Sequence, residues 1–392
     1  TGEVLEKFSQ VVNPGRRIPQ NIQQLTGISQ AEADRAPSLS SVANAFRKFI
    51  GEHPLVGHNV SFDTAFLESH NLYRFNQKVD TWELAVILMP GLPSYKLGRI
   101  AAELGIDLEN AHRAFDDAEA TMRIFEVFRK LANALPKKTL QQINKLAARS
   151  EWSLTTFFAD AEKQAAKGWG KSLIPGKRKQ AGPLFERHEP LEPFDHPTPL
   201  DVDELAANLE PGGGFSQTFA NFEYRQPQVE MLRTVAEAFN QSDHVMIEAG
   251  TGTGKSIAYL IPALAWASQT GQRVVVSSNT INLQDQLFLK DLPDLHSILP
   301  FDFEVAVMKG RSNYLCPRRL HNLMQRSDHT TIDISVLARI LVWLPNTETG
   351  DVSEISLVNS RERAVWHRVC SDSATCSPTR CVDDASQPGF FY

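Results

Sequence analysis

Glu248-Ala249-Gly250-Thr251-Gly252-Thr253-Gly254-Lys255-Ser256 is the stretch that decides how this chain is read. It lies between a short apolar run at residues 244–247 and an apolar helical pattern over 254–269. Glycines let a backbone wrap closely around a phosphate without Cβ clashes. The N–H groups of such a loop, and the helix start behind it, supply positive potential. Lys255 is placed to reach β- and γ-phosphates, and the Ser256 hydroxyl to ligate Mg²⁺. Ala249 stands where the general pattern has glycine. The plain alternative is a glycine-rich turn with an incidental Lys-Ser. The apolar run before and the helix after argue against it.

Around this loop the pattern alternates strand and helix. Residues 244–247 and 273–277, with Val274-Val275-Val276, read as buried parallel strands. Pro262 is expected to kink the intervening helix. Such an order implies an α/β domain with ligands at the carboxyl ends of its strands. Upstream stands Phe222-Glu223-Tyr224-Arg225-Gln226-Pro227-Gln228, ahead of a helix. Downstream, Ser277-Ser278-Asn279-Thr280 leads into a helix with Leu283, Gln284, Gln286 and Leu287. Together these segments resemble superfamily 2 helicases. The resemblance implies ATP with Mg²⁺ as cofactor, Gln228 as the adenine contact, and residues 278–284 facing single-stranded DNA. Taken alone, Gln228 reads as a solvated helix residue.

All four cysteines fall late: Cys316, Cys370, Cys376 and Cys381. A tight trio plus one distant thiol can close a four-thiolate cage for an iron–sulfur cluster or for zinc. Spacing alone does not choose between them. The run Lys309-Gly310-Arg311-Ser312-Asn313-Tyr314-Leu315-Cys316 resembles the entry to the iron–sulfur domain of XPD-type helicases, in particular the bacterial DinG group. That resemblance covers about residues 200–392 and implies a 4Fe-4S cluster in an insertion at about 309–392. In that family an acidic Mg²⁺-binding motif follows the insertion.

Three short texts mark residues 1–135 as a mixed α/β module: Ile22-Gln23-Gln24-Leu25-Thr26-Gly27-Ile28, Gly57-His58-Asn59-Val60-Ser61-Phe62-Asp63, and His112-Arg113-Ala114-Phe115-Asp116-Asp117-Ala118. The last sets an imidazole and a carboxylate at the mouth of a helix. That pairing suits metal-assisted phosphodiester hydrolysis, in which carboxylates hold divalent ions and a histidine takes the water proton. Alone, Asp63 is a helix cap, His112 a satisfied histidine, and Asp116 a solvated neighbour. Jointly the texts resemble DEDDh exonucleases of the polymerase III epsilon type, with a ribonuclease H-like fold. The resemblance makes Asp63 and Asp117 metal ligands for Mg²⁺ or Mn²⁺ and His112 the general base. The family's first motif, Asp-x-Glu, is expected upstream of Thr1, because the chain opens at Thr1-Gly2 without methionine. By itself the stretch from Thr1 to Tyr392 is expected to be nearly inert as a nuclease and to turn over no ATP at a useful rate.

Apolar positions Ala118, Met122, Phe125, Val127 and Phe128 suggest a helical stripe ending near Pro136. Residues 137–167 read as one or two basic amphipathic helices, and 168–199, with six prolines, as a linker. The expected plan is therefore an exonuclease module at 1–135, a linking segment at 136–199 and the start of a helicase domain at 200–392. Basic residues from Arg129 to Lys179 crowd the linking segment; they read first as a solvated face, with a nonspecific DNA tether as the alternative.

The net charge of −6 does not advertise a nucleic-acid binder, but local patches decide such binding. No stretch reaches the roughly 20 apolar residues of a membrane span, and no secretion signal opens the chain. The expectation is a cytoplasmic, monomeric ATP-dependent DNA helicase with a 3′–5′ exonuclease module, acting on single strands and 3′ ends in DNA repair or replication. The rivals are an ATP-regulated exonuclease that does not unwind, and a DNA-binding scaffold with both sites decayed.

Overall fold

The computed structural model describes residues 3–73, 76–108, 113–166, 193–195, 198–377 and 390. It divides into two compact units, Thr1–Phe185 with Gly310–Tyr392, and Glu186–Lys309. Among the described residues helices dominate both.

The first unit is built on a parallel strand pair, Leu55–Gly57 beside Lys78–Asp80, in register Leu55↔Lys78, Val56↔Val79 and Gly57↔Asp80. Parallel strands need a crossover, and the Val60–Ser69 helix lies in it. The turn between is tight. A Cβ on Gly57 would stand 2.9 Å from Val60 Cγ2, and Asn59 takes a left-handed φ of 62°. The second strand runs straight into the Thr81–Leu88 helix. Both helices therefore start at the carboxyl end of the pair.

The Ala114–Asn133 helix buries Ala120, Ile124, Phe128 and Ala132, four residues apart along a single face, with Thr121 beside the first. This corrects the expected stripe. Ala118 is exposed and Met122 is 36 % exposed. The apolar residues at 118 and 122 follow the helical period, but the small and branched residues at 120 and 124 are the ones that face the core. The basic segment forms two helices as expected, Lys137–Ala147 and Thr155–Ala166.

The cysteine-bearing segment shares this core. Its Thr331–Trp343 helix starts with a capping box, Thr330 with Asp333, and buries ten of its residues. A helix apolar all round must be covered on every side. Here Ile334, Leu337, Ile340 and Leu341 join one cluster with Leu84, Ile87, Ile124, Phe128 and Leu140. Gly91 makes a close approach to this segment: at φ 85°, a Cβ there would lie 2.6 Å from the Glu354 carbonyl oxygen.

The second unit packs the Gln226–Gln241 helix on the Lys255–Thr270 helix, around Val229, Leu232, Ala236, Ala258, Ile261 and Leu264. Pro262 lies inside the latter. The expected parallel strands at 244–247 and 273–277 are not formed: among the described residues the one sheet is the pair in the first unit. Met246 is 99 % exposed and Val275 88 %. Apolar runs report what a segment would gain by burial. They do not report whether a partner strand lies alongside it.

Candidate functional site

Asp63 sits in the first turn of the Val60–Ser69 helix and Asp117 in the first turn of the Ala114–Asn133 helix. A carboxylate in a first turn is favoured by the helix dipole. Asp117 is held by the backbone, its N–H donating to the Arg113 carbonyl at 2.9 Å. His112 and Cys381 lie outside the described residues.

Between the two carboxylates stand groups to which sequence reasoning gave no role. Asp80, the last residue of the second strand, caps two helices at once. Its Oδ1 accepts from the N–H groups of Asn59 at 2.9 Å and Trp82 at 2.8 Å, and its Oδ2 from Val60 at 3.2 Å. His58 has Nδ1 3.1 Å from the Thr81 hydroxyl and Nε2 2.9 Å from the Tyr95 carbonyl. Burial holds the His58 imidazole below its ordinary range, against the pull of the Tyr95 carbonyl and the negative charges of Asp80 and Asp117. Asp63 is pushed up, first by desolvation of its carboxyl and further by the charge of Asp80. Asp80 thus acts on both Asp63 and His58, and Asp117 acts separately on His58. The available signal was Asp80-Thr81 directly after an apolar strand, a capping pair at a helix start.

A divalent ion asks for oxygen ligands. Asp63 and Asp117 each offer them from the first turn of a helix, but among the described residues no group of three or more histidine, cysteine or carboxylate side chains is assembled around a metal position.

In the second unit the loop from Glu248 turns into the Lys255–Thr270 helix through two left-handed glycines, Gly252 at φ 80° and Gly254 at φ 79°. Lys255 Nζ bends back to donate to the carbonyls of Ala249 at 2.8 Å and Gly250 at 2.7 Å. Thr253 Oγ1 donates to the Gly250 carbonyl at 3.0 Å, while Thr251 is exposed. Burial pushes the Tyr259 hydroxyl up, and Ser256 beside it opposes the rise. The loop is braced from the preceding helix. Arg225 Nη1 donates to the Gly252 carbonyl at 2.7 Å, and Gln228 Nε2 to the Gly254 carbonyl at 3.0 Å. Gln228 is buried rather than solvated. The glycine-rich turn, the lysine inside it and the hydroxyl on the first helical turn are the donor set a nucleotide triphosphate with Mg²⁺ requires.

Beyond the loop, Thr280 caps the Ile281–Gln286 helix, leaving Asn279, Thr280 and Asn282 exposed. Lys309, quoted above as part of the run before the cysteines, is buried and pairs with Asp285 at 3.5 Å.

Cys316, Cys370 and Cys376 are buried and outside any disulfide. The first two come together on a short antiparallel bridge. Leu315 faces Cys370, and the Cys316 N–H donates to the Val369 carbonyl at 2.8 Å. Burial pushes the Cys370 thiol up, and a charge on Cys316 would add to the rise. Cys376 Sγ accepts from the Asp372 N–H at 3.4 Å. The thiols are a suitable donor set gathered in one corner of the unit, but among the described residues no trio of them closes on a metal position.

A family model described as Exonuclease matches residues 1–125, and one described as DEAD/DEAH box helicase matches residues 227–340. The chain therefore joins an N-terminal exonuclease domain to a helicase domain, in a helix-rich α/β protein. It is similar to the protein named 3′-5′ exonuclease DinG of Bacillus subtilis strain 168, with 32 % identity over 97 % of this chain and 41 % of the relative. It is also similar to the Staphylococcus aureus strain USA300 protein of that name, with 29 % identity over 91 % of this chain and 39 % of the relative. The chain thus spans about two fifths of the length of these curated relatives. Among the described residues no helix is long and apolar enough to cross a membrane.

Proposed function

We propose that this chain is part of a cytoplasmic, monomeric, DinG-type enzyme of DNA repair or replication, in which an ATP-dependent DNA helicase is joined to a 3′–5′ exonuclease. The observation that carries the reading is the joint presence, in one chain, of an exonuclease domain with Asp63 and Asp117 each in the first turn of a helix and a helicase domain with a braced Lys255-Ser256 loop. Its substrates are single-stranded DNA and 3′ ends.

In the exonuclease module Asp63 and Asp117 would hold Mg²⁺ or Mn²⁺, which activates water and stabilises the leaving oxygen. His112 is the base for the water proton. Asp80 fixes both helix starts and keeps the site negative. In the helicase domain the N–H groups of Gly250 to Ser256 would hold the phosphates, Lys255 would supply positive charge to the β- and γ-phosphates, and the Ser256 hydroxyl would ligate the magnesium ion. Gln228 reads adenine only by giving up its bond to Gly254. Residues 278–284 offer exposed polar side chains to a single strand. Cys316, Cys370, Cys376 and Cys381 would hold a 4Fe-4S cluster, whose role would be structural.

The test uses the protein expressed from its complete reading frame. End-labelled DNA with Mg²⁺ or Mn²⁺ reports cleavage, and a forked duplex with ATP reports unwinding. Asp63→Ala or Asp117→Ala should abolish cleavage and spare ATP turnover, and Lys255→Ala should do the reverse. Cleavage gated by ATP without any unwinding would overturn the helicase part. A pure protein containing zinc and no iron or sulfide would overturn the cluster.

A further inference from the structure

Residues 350–357 of the cysteine-bearing segment run as a strap between two parts of the first unit. On one side they join the backbone ladder of the cysteines. The Leu315 N–H donates to the Gly350 carbonyl at 2.9 Å, and Tyr314 bridges Asp351. Leu315 also bridges Cys370, and the Ser371 N–H donates to the Tyr314 carbonyl at 2.8 Å. On the other side the strap meets the loop at 89–95 of the exonuclease module. The Ser356 hydroxyl donates to the Leu92 carbonyl at 3.3 Å, across 264 positions of sequence. Gly91 comes so near the Glu354 carbonyl oxygen that the two segments touch through backbone alone. Ile355 is buried in the same apolar cluster as Leu84 and Tyr95. The strap is itself fixed from within its segment. Glu354 Oε2 accepts from the Trp343 indole at 2.9 Å, and Arg339, paired with Glu362 at 2.9 Å, donates to the Ser356 carbonyl.

We infer that this strap is a positioning element of the exonuclease site: it fixes the 89–95 loop, the loop fixes the Tyr95 carbonyl, and that carbonyl orients the His58 imidazole at the carboxyl end of the strand pair. The inference rests on the exonuclease reading of this module. The strap itself lies far outside the residues 1–125 that match the exonuclease family.

Every link is an ordinary bond, and the series is short. The Tyr95 hydroxyl donates to the Met89 carbonyl at 3.0 Å and accepts from the Leu92 N–H at 3.2 Å, so the ring spans its own loop. Leu92 is thereby held through both backbone groups, its N–H on Tyr95 and its carbonyl on Ser356. The Tyr95 carbonyl lies 2.9 Å from His58 Nε2. A carbonyl only accepts, so in the neutral ring Nε2 bears the proton and Nδ1, 3.1 Å from the Thr81 hydroxyl, is the acceptor. One tautomer and one ring orientation follow from where Tyr95 stands. Thr81 opens the helix that Asp80 caps, and that Thr81–Leu88 helix packs against the Thr331–Trp343 helix. The cysteine-bearing segment therefore supports the site twice, behind Asp80 through a helix and behind His58 through the strap. A side chain is held only as well as the groups it bonds.

The experiment uses the protein expressed from its complete reading frame. It reads hydrogen exchange over residues 55–60 and 89–97, kcat and KM for cleavage of end-labelled DNA with Mn²⁺, and ATP turnover as the control. Ser356→Ala removes the grip on Leu92. It should speed exchange at 89–97 about 5-fold, the equivalent of one hydrogen bond. It should lower kcat for cleavage about 3- to 10-fold while KM stays within about 2-fold, because the strap offers nothing to the DNA. Ser356→Thr keeps the hydroxyl and should restore both readings. Gly91→Ala drives a methyl to 2.6 Å from the Glu354 carbonyl oxygen at φ 85° and should lower kcat about 10- to 100-fold. Gly105→Ala carries a comparable backbone strain, at φ 66°, with nothing within 4 Å of the new methyl, and should leave kcat within about 2-fold. ATP turnover should stay at the wild-type rate in all four. Wild-type exchange at 89–97 in Ser356→Ala, no rescue by Ser356→Thr, or equal losses in Gly91→Ala and Gly105→Ala would overturn the inference. A wild-type protein that cleaves no DNA would instead overturn the exonuclease reading, and the exchange measurements would still decide whether the strap holds the loop.

Discussion

Replacing Gly254 by alanine tests how the nucleotide loop is held. At φ 79° an L-residue costs about 1–2 kcal/mol more than glycine. The new Cβ would stand 2.2 Å from Gln228 Nε2 and 2.7 Å from its Cδ. The amide must therefore leave, and its 3.0 Å bond to the Gly254 carbonyl is lost. Gln228 is 8 % exposed, and an amide left unpaired at that depth costs about 1–3 kcal/mol. Together the two effects amount to about 2–5 kcal/mol of local stability. Gln228→Ala alone removes one hydrogen bond, about 1 kcal/mol. In the double variant the clash is gone and the backbone strain stays, so the loss is about 2–3 kcal/mol, less than the sum of the singles. Hydrogen exchange of amides in the Lys255–Thr270 helix reads the local opening free energy directly. Nucleotide affinity, followed with a fluorescent ATP analogue, should fall in step for Gly254→Ala. Additive losses across the cycle, or wild-type exchange in Gly254→Ala, would show that Gln228 does not brace this loop.

Asp80→Ala removes one acceptor from three backbone N–H groups, and the loss of two helix caps should destabilise the first unit by roughly 1–3 kcal/mol in urea unfolding; an unchanged midpoint refutes the double cap. The buried pair is more severe: Arg339→Met leaves Glu362 without its partner and should cost about 3–5 kcal/mol, largely recovered when Glu362 is made leucine as well. His58 titrates below its ordinary 6.5 in the folded chain because it is buried. The unfolded chain then takes up the proton first, so thermal stability should fall as the pH drops through 6.5, and His58→Gln should flatten that part of the profile. Asp63→Asn removes a carboxylate that is already desolvated, so the melting temperature should hold or rise while cleavage in the whole enzyme disappears. A fall in stability would mark Asp63 as a structural cap instead.

Much of the candidate chemistry was legible because it is local. Asp63 and Asp117 stand within one turn of a helix start, and Gly252, Gly254, Lys255 and Ser256 are neighbours along the chain. Their spacing alone sets what backbone and side chains can do together. Asp80 was missed because its role is not local. It sits about 20 residues from Asn59 and Val60, and only the parallel register Gly57↔Asp80 brings it beneath their amides. Taken alone, Gln228 read as solvated for the same reason, although the helicase resemblance made it an adenine contact: its bond is to Gly254, 26 residues on. The apolar runs at 244–247 and 273–277 erred in the other direction. Their composition announced strands, but a strand exists only where a neighbour supplies the ladder.

By itself the sequence pointed to two candidate chemistries: a glycine-rich loop ending in Lys255-Ser256, and acidic residues placed at helix starts. Both follow from short-range geometry and the donors and acceptors each residue carries. The tertiary structure decided the rest. It drew the Thr331–Trp343 helix into one core with Leu84, Ile124 and Phe128, set Asp80 under two helices, and brought Ser356 onto the Leu92 carbonyl. Burial and field depend on which distant segments meet, and no pattern of neighbours along the chain records that.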